Sequence, residues 1–271
     1  MSSAISEPTA IPAARPIPPS TWVDANVPSV RRWIGSRGWV VTPWTLRGRM
    51  ARMHTVLVTG FERFGEHPAN PTEEMVRQLP GVIAEASVVS AVLPVEFGRC
   101  AEVALGLVCE HSPDAVVLTG LAAGRRSVTP ERIAINVRDI AGETVADNAG
   151  APPQEQPVVE GGPDGLFATL PNRAIVERLL AAGVPAELSA SAGTFVCNET
   201  MYAVLHSLRP LGSGGAKAGF IHVPGKEVLS VPELTRAVGV VVEAVVESLD
   251  AGTSSTRDGS HHATRCWVHG V

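Results

Sequence analysis

Residues 53 to 250 predict an α/β fold, a three-layer α/β/α sandwich around a largely parallel, mixed sheet, and three observations carry that prediction. Short apolar runs that end in glycine, H-T-V-L-V-T before Gly60 and A-V-V-L-T before Gly120, have the make-up of strands buried on both faces. Amphipathic stretches with helix caps lie between such runs, and regular alternation of strand and helix belongs to parallel sheets. The composition also breaks cleanly: all five tryptophans fall outside residues 53 to 250 and all six phenylalanines inside. One domain is therefore expected over 53–250, with a disordered extension at 1–52, rich in proline, serine and alanine at first, and a polar, patternless tail at 251–271.

The elements follow in order. After the strand at His54–Thr59 comes a loop, F-E-R-F-G-E-H-P, with Phe61 and Phe64 where polar residues are the rule. Asn70 as N-cap, Pro71 at the first helical position and Glu73 in the first turn start a helix. Ser87–Leu93 reads as a second strand, and Cys100, Val103, Ala104 and Leu107 as the inward stripe of the next helix. Ala115–Thr119 is a third strand. A polar, glycine-rich connection runs from Gly142 to Gly165, and a helix from Asn172 to Ala182 turns Ile175, Val176, Leu179 and Leu180 inward before Gly183 stops it. Alternation over Ala186–Ser191 predicts a strand, Gly219–Val223 another, and Ser230 with Glu233 makes a capping box for a last helix facing inward through Leu234, Val238, Val241, Val245 and Leu249.

Composition narrows the function classes. A net charge of −5 without a lysine or arginine block gives no footprint for nucleic acid or an anionic membrane surface. The apolar run Ala237–Val246 is too short to span a bilayer and contains Glu243, and no secretory pattern opens the chain, so a cytoplasmic protein is expected. Four cysteines without C-x-x-C spacing indicate neither a zinc ribbon nor a disulfide framework, and reduced thiols are expected.

The most informative stretch is S-A-G-T-F-V-C-N, Ser191–Asn198. Gly193 and Thr194 break the preceding strand, and Cys197, Met201, Val204, Leu205 and Leu208 then recur at helical spacing, so the thiol lies in a first turn. Backbone N–H groups and the helix dipole there favour thiolate and suit an oxyanion. A small buried cysteine is the commoner use of the residue. His222, near the carboxyl end of its strand, lies where open α/β sheets gather ligands. Glu131 stands at the edge of an apolar strand, and its two-glycine approach G-L-A-A-G-R-R-S lacks either phosphate-loop pattern.

T-P-E-R-I-A-I-N, A-G-T-F-V-C-N and G-F-I-H-V-P, in that order on one chain, resemble the signature of pyroglutamyl peptidase type I, the pyrrolidone-carboxylate peptidases. V-L-V-T-G-F-E-R-F-G-E-H-P-A-N-P and Gly161–Pro163 fit as well, so the similarity covers about 53 to 250. The resemblance implies a phosphorylase/hydrolase-like fold and a cysteine peptidase that removes amino-terminal pyroglutamyl residues. Cys197 would be the nucleophile, His222 the general base and acid, and Glu131 the residue orienting the imidazole. Phe61, Phe64, Asn70, Leu121, Phe195 and Val196 would line the substrate pocket. No metal, no organic cofactor and a homo-oligomer, dimer or tetramer, are implied. The chain departs from the family at Leu121, where glutamine is frequent, at E-T-V-A-D-N (Glu143–Asn148) in place of R-I-P-D-N, and after His222, where Y-x-P-E-Q is missing. Two other readings stay open at this level: a thiol hydrolase of another small lactam or amide, and a binding domain that has kept the fold.

Overall fold

A computed structural model describes residues 53–65, 69–140, 147–150, 153–209 and 215–255. In chain order the elements are β1 (Thr55–Phe61), α1 (Pro71–Gln78), β2 (Val82–Ile83), β3 (Ala86–Leu93), α2 (Arg99–His111), β4 (Ala115–Leu121), β5 (Thr129–Pro130), β6 (Ile133–Ile135), β7 (Gly165–Phe167), α3 (Asn172–Ala181), α4 (Val196–Leu208), β8 (Lys217–Val223) and α5 (Val231–Ser255). The main sheet has the order β2-β3-β1-β4-β8-β5. Its four inner strands run parallel, and the two edge strands, β2 and β5, run antiparallel to their neighbours.

Strand alternation assigns the two faces. Val56, Val58, Ala115, Val117, Ile221 and Val223 pack with Met75 of α1, Ile175 and Leu179 of α3 and the valine stripe of α5. Leu57, Phe61, Val116, Leu118, Ala218 and Phe220 pack with Cys100 and Ala104 of α2 and Met201 and Val204 of α4. The result is the three-layer α/β/α sandwich, with α1, α3 and α5 on one side and α2 and α4 on the other. Complete burial of each leucine or valine in these clusters stabilises the fold by about 1.5–3 kcal/mol before entropic costs.

The helix starts behave as their caps predict. Asn70 accepts from the Thr72 N–H at 3.1 Å, and its amide donates to the Glu62 carbonyl, so it locks the β1–α1 loop to the helix. The Glu233 carboxylate accepts from both the N–H and the hydroxyl of Ser230. Gly183 ends α3 in the left-handed region at φ +76°.

Three expectations need correction. Ala186–Ser191 forms no strand, only isolated parallel bridges at Ala186 to Val128 and Ser189 to Glu131, because the partner β5 is two residues long and its Pro130 has no N–H to give. Leu180 is 54% exposed on the outer flank of α3, while Ile175 and Leu179 carry the contact. The last helix continues to Ser255, past the expected boundary at 250. Cys100 and Cys197 are thiols, and Cys266 lies outside the described residues. The segments 1–52 and 256–271 lie outside the described residues. Among the described residues no helix is long and apolar enough to cross a membrane.

Candidate active site

The site is assembled at the carboxyl ends of β4 and β8. Gly120 and His222 are register partners across these two strands, and both point to the face covered by α4, because each lies two residues beyond a residue of that face, Leu118 and Phe220. A Cβ built on Gly120 would stand 3.0 Å from the Cys197 sulfur and 2.7 Å from Cζ of Phe220. The thiol therefore rests on the bare backbone of Gly120, next to the strand that carries His222. Cys197 is the second residue of α4, and no side chain caps that helix start.

His222 is 5% exposed and packs against Phe220, ring centroids 4.7 Å apart. Its Nδ1 lies 2.7 Å from Oε1 of Glu131. The antiparallel pairing of β5 with β8 makes this reach possible, since Thr129 is the register partner of His222 and the Glu131 N–H donates to the Phe220 carbonyl. Glu131 is wholly buried. Burial opposes its charge, but the hydrogen bond and charge of His222, the nearby Ser189 hydroxyl and the Arg125 guanidinium together hold its pKa below the ordinary carboxylate value. Ser189 exerts that influence without a hydrogen bond of good geometry, and Oε2 of Glu131 has no hydrogen-bond partner among the described residues.

The other cysteine on this face is chemically different. Burial first, and the Glu199 carboxylate next, push the Cys100 thiol well above its ordinary pKa, and its sulfur lies 3.4 Å from Oε2 of Glu199. A thiol held that way is a poor nucleophile.

The expected pocket residues separate into two groups. Phe64 and Phe195 face each other at 6.3 Å beside the start of α4, whereas Phe61 is 2% exposed and packs 6.4 Å from Phe220 beneath them. Val196 is buried at the first position of α4, Leu121 is half-buried at the end of β4, and Asn70 is committed to its cap. An open groove lined by Arg132, Phe167, Leu170 and Asn172 contains none of the three residues Cys197, His222 and Glu131.

Residues not singled out in the sequence complete the surroundings. Phe97 meets Phe195 edge to face at 5.3 Å. Asn198, fully buried, accepts from the Ile135 N–H and donates to the carbonyls of Ile135 and Val137, tying the chain after Glu131 to the helix of Cys197. Buried Glu199 accepts from the Gly98 N–H and pairs with Arg138 at 3.1 Å. Arg125 donates to Oε1 of Glu131 at 2.6 Å. Asp147 and Asn148 pin their loop to the Phe97 N–H and to Glu62; residues 141–146 before it lie outside the described residues. Among the described residues no cluster of His, Cys, Asp or Glu is arranged to hold a metal ion.

Comparison with known proteins agrees with this architecture. The family model described as pyroglutamyl peptidase matches residues 54–257. A pyrrolidone-carboxylate peptidase of Thermococcus onnurineus is 48% identical over 191 residues, covering 70% of this chain and 94% of the relative. One from Streptococcus suis is 39% identical, covering 76% and 99%. A mutant pyrrolidone carboxyl peptidase from Pyrococcus furiosus superposes with a TM-score of 0.67 at 38% identity, covering 72% of this chain and 99% of that one. The pyroglutamyl peptidase I of Bacillus amyloliquefaciens gives 0.66 at 32% identity, covering 71% and 95%. The chain belongs to the pyroglutamyl peptidase family.

Proposed function

We propose that this protein is a pyroglutamyl-peptidase I, a cysteine exopeptidase that removes amino-terminal pyroglutamyl residues from peptides through Cys197, His222 and Glu131. The observation that carries the assignment of residues is the Gly120–His222 register pair, which seats the Cys197 sulfur beside an imidazole already held by a buried carboxylate. The Cys197 thiolate attacks the pyroglutamyl carbonyl carbon, and the uncapped start of α4 offers backbone N–H groups to the oxyanion. His222, protonated, gives its proton to the departing amine as the C–N bond breaks and a thioester remains. Water then gives a proton to neutral His222 as it attacks the thioester, and the sulfur leaves with pyroglutamate released. Glu131 fixes the imidazole tautomer and stabilises its charged form without accepting the proton.

Pyroglutamate is a small neutral lactam, and the aromatic wall of Phe64, Phe195 and Phe97 suits such a ring. The deciding experiment is release of a fluorophore from its pyroglutamyl amide, with and without iodoacetamide. Turnover abolished by alkylation of Cys197 supports the assignment; absence of turnover, or turnover that survives alkylation, refutes it. The catalytic unit is proposed to be the folded domain from residue 53 onward, since β1 and the family match both begin at its edge. A chain lacking residues 1–52 is expected to keep full activity. A homo-oligomer, dimer or tetramer, is proposed from the family resemblance, and light scattering of the purified protein tests the assembly.

A further inference from the structure

We propose that Arg125 is a positioning residue of this active site: it shares one oxygen of Glu131 with the His222 imidazole, holds the carboxylate in line, and limits the negative charge that the imidazole feels. The inference rests on the peptidase assignment above for its meaning in turnover, though not for its physical test.

Arg125 lies in the turn after β4, where its N–H donates to the Ala122 carbonyl and the Ala122 N–H donates to the Val223 carbonyl, one residue beyond His222. The turn is thus pinned to the strand that bears the imidazole. From there Nη1 reaches two acceptors, the Thr129 hydroxyl and Oε1 of Glu131. Thr129 is the register partner of His222, so the guanidinium is braced on the same two-strand ribbon whose residues it influences. Oε1 is also the atom facing Nδ1 of His222. The Arg125 side chain is 31% exposed and Glu131 wholly buried, so the cation stands between solvent and the buried carboxylate.

A charge-assisted bond to a buried carboxylate differs from a surface ion pair, because removing one partner strands the other in a poorly solvated place. Among the described residues two charged or titratable side chains face the Glu131–His222 pair from the elements packed around it, Arg125 from the β4–β5 turn and Cys197 from α4, and Ser189 adds a neutral hydroxyl. With the guanidinium present, Glu131 stays ionised yet is partly neutralised. Without it, the full carboxylate charge acts on the imidazole, and the pair takes up its proton at higher pH. A thiolate beside the pair would likewise form at higher pH, having lost a neighbouring positive charge.

The experiment has two arms. In the first, the pH dependence of kcat/KM on a pyroglutamyl amide is compared for the intact enzyme, Arg125→Met and Arg125→Lys. Arg125→Met is expected to move both limbs to higher pH by about half to one unit, and Arg125→Lys, which keeps the charge but not the fork, to leave the limbs in place while lowering kcat. In the second, the His222 imidazole is titrated by NMR in the Cys197→Ser background with Arg125, Met or Lys at that position, which needs no turnover. The same ordering is expected there. Arg125→Gln replaces Arg125→Met if the latter does not fold. Folded neutral variants whose limbs and imidazole titration coincide with those of the intact protein overturn the proposal and leave Arg125 a packing residue. Absence of pyroglutamyl turnover in the intact protein overturns the peptidase assignment instead, and the imidazole titration still decides the role of Arg125.

Discussion

Gly120 and His222 face each other across β4 and β8, and the absent side chain of the first makes room for the Cys197 sulfur beside the second. Gly120→Ala therefore tests the site without touching any reacting group. Both obstacles to the new methyl, the sulfur and the Phe220 ring, are held by packed neighbours, so overpacking of about 1–3 kcal/mol is expected. Denaturant unfolding measures that cost. The same variant is expected to lose most of its kcat with the Cys197 thiol displaced; full activity at undiminished stability would show that the sulfur does not rest there.

The three proposed catalytic groups have unequal roles, and their losses are expected to differ. Cys197→Ser replaces the thiolate with a hydroxyl that His222 ionises poorly, so turnover should fall to background. His222→Ala should be nearly as damaging, because effects within one catalytic unit do not add. Glu131→Gln should leave a measurable remnant, since the carboxylate orients and stabilises the imidazolium without transferring a proton. Circular dichroism of each variant checks the fold. Near-normal turnover in folded Cys197→Ser would refute a thiol mechanism.

Acid is expected to weaken the protein through Glu131. Its folded pKa is depressed, so its contribution is present above the unfolded carboxyl value, about 4.3, and is lost as pH falls through the lower folded value. Urea unfolding between pH 3 and 7 measures this. The stability difference between the intact protein and Glu131→Gln should shrink as pH falls below about 4. A difference that grows with acidity would contradict the direction of the shift.

The β2–β3 hairpin is tighter than its residues prefer. Ile83 pairs with Ala86, and the two residues between them, Ala84 and Glu85, hold φ at +49° and +60°, where asparagine and glycine are at ease. Ala84→Asn with Glu85→Gly is expected to stabilise the domain by about 1 kcal/mol, read as a higher unfolding midpoint with unchanged activity. A lower midpoint would mean that the native side chains supply compensating contacts.

That hairpin also marks the limit of what the residues reveal. Strands buried on both faces declared themselves as apolar runs, and capped helices as periodic stripes, so the order of the layers was legible from β1 to α5. The turn at Ala84–Glu85 carried no Asn-Gly signal, and β2 went unseen. Alternation over Ala186–Ser191 promised a strand that short, proline-bearing β5 cannot support. For the site, Cys197 was visible because Gly193 and Thr194 precede a helical stripe, while Glu131 and His222 were joined only by family resemblance. Nothing in local spacing ties residues 91 apart in the chain. Arg125 was missed for a related reason: its contact with Glu131 passes through a turn without periodicity, and only the sheet edge brings the two together.

β8, the last strand in the chain, is not an edge strand; it lies between β4 and β5. Until that insertion is complete, Glu131 has no imidazole to hold, and the sulfur of Cys197 has no base. A nascent or partly unfolded chain thus carries an inert thiol, and peptidase activity becomes a late reporter of folding. In a refolding time course, helical signal should recover first and hydrolysis only with closure of the sheet.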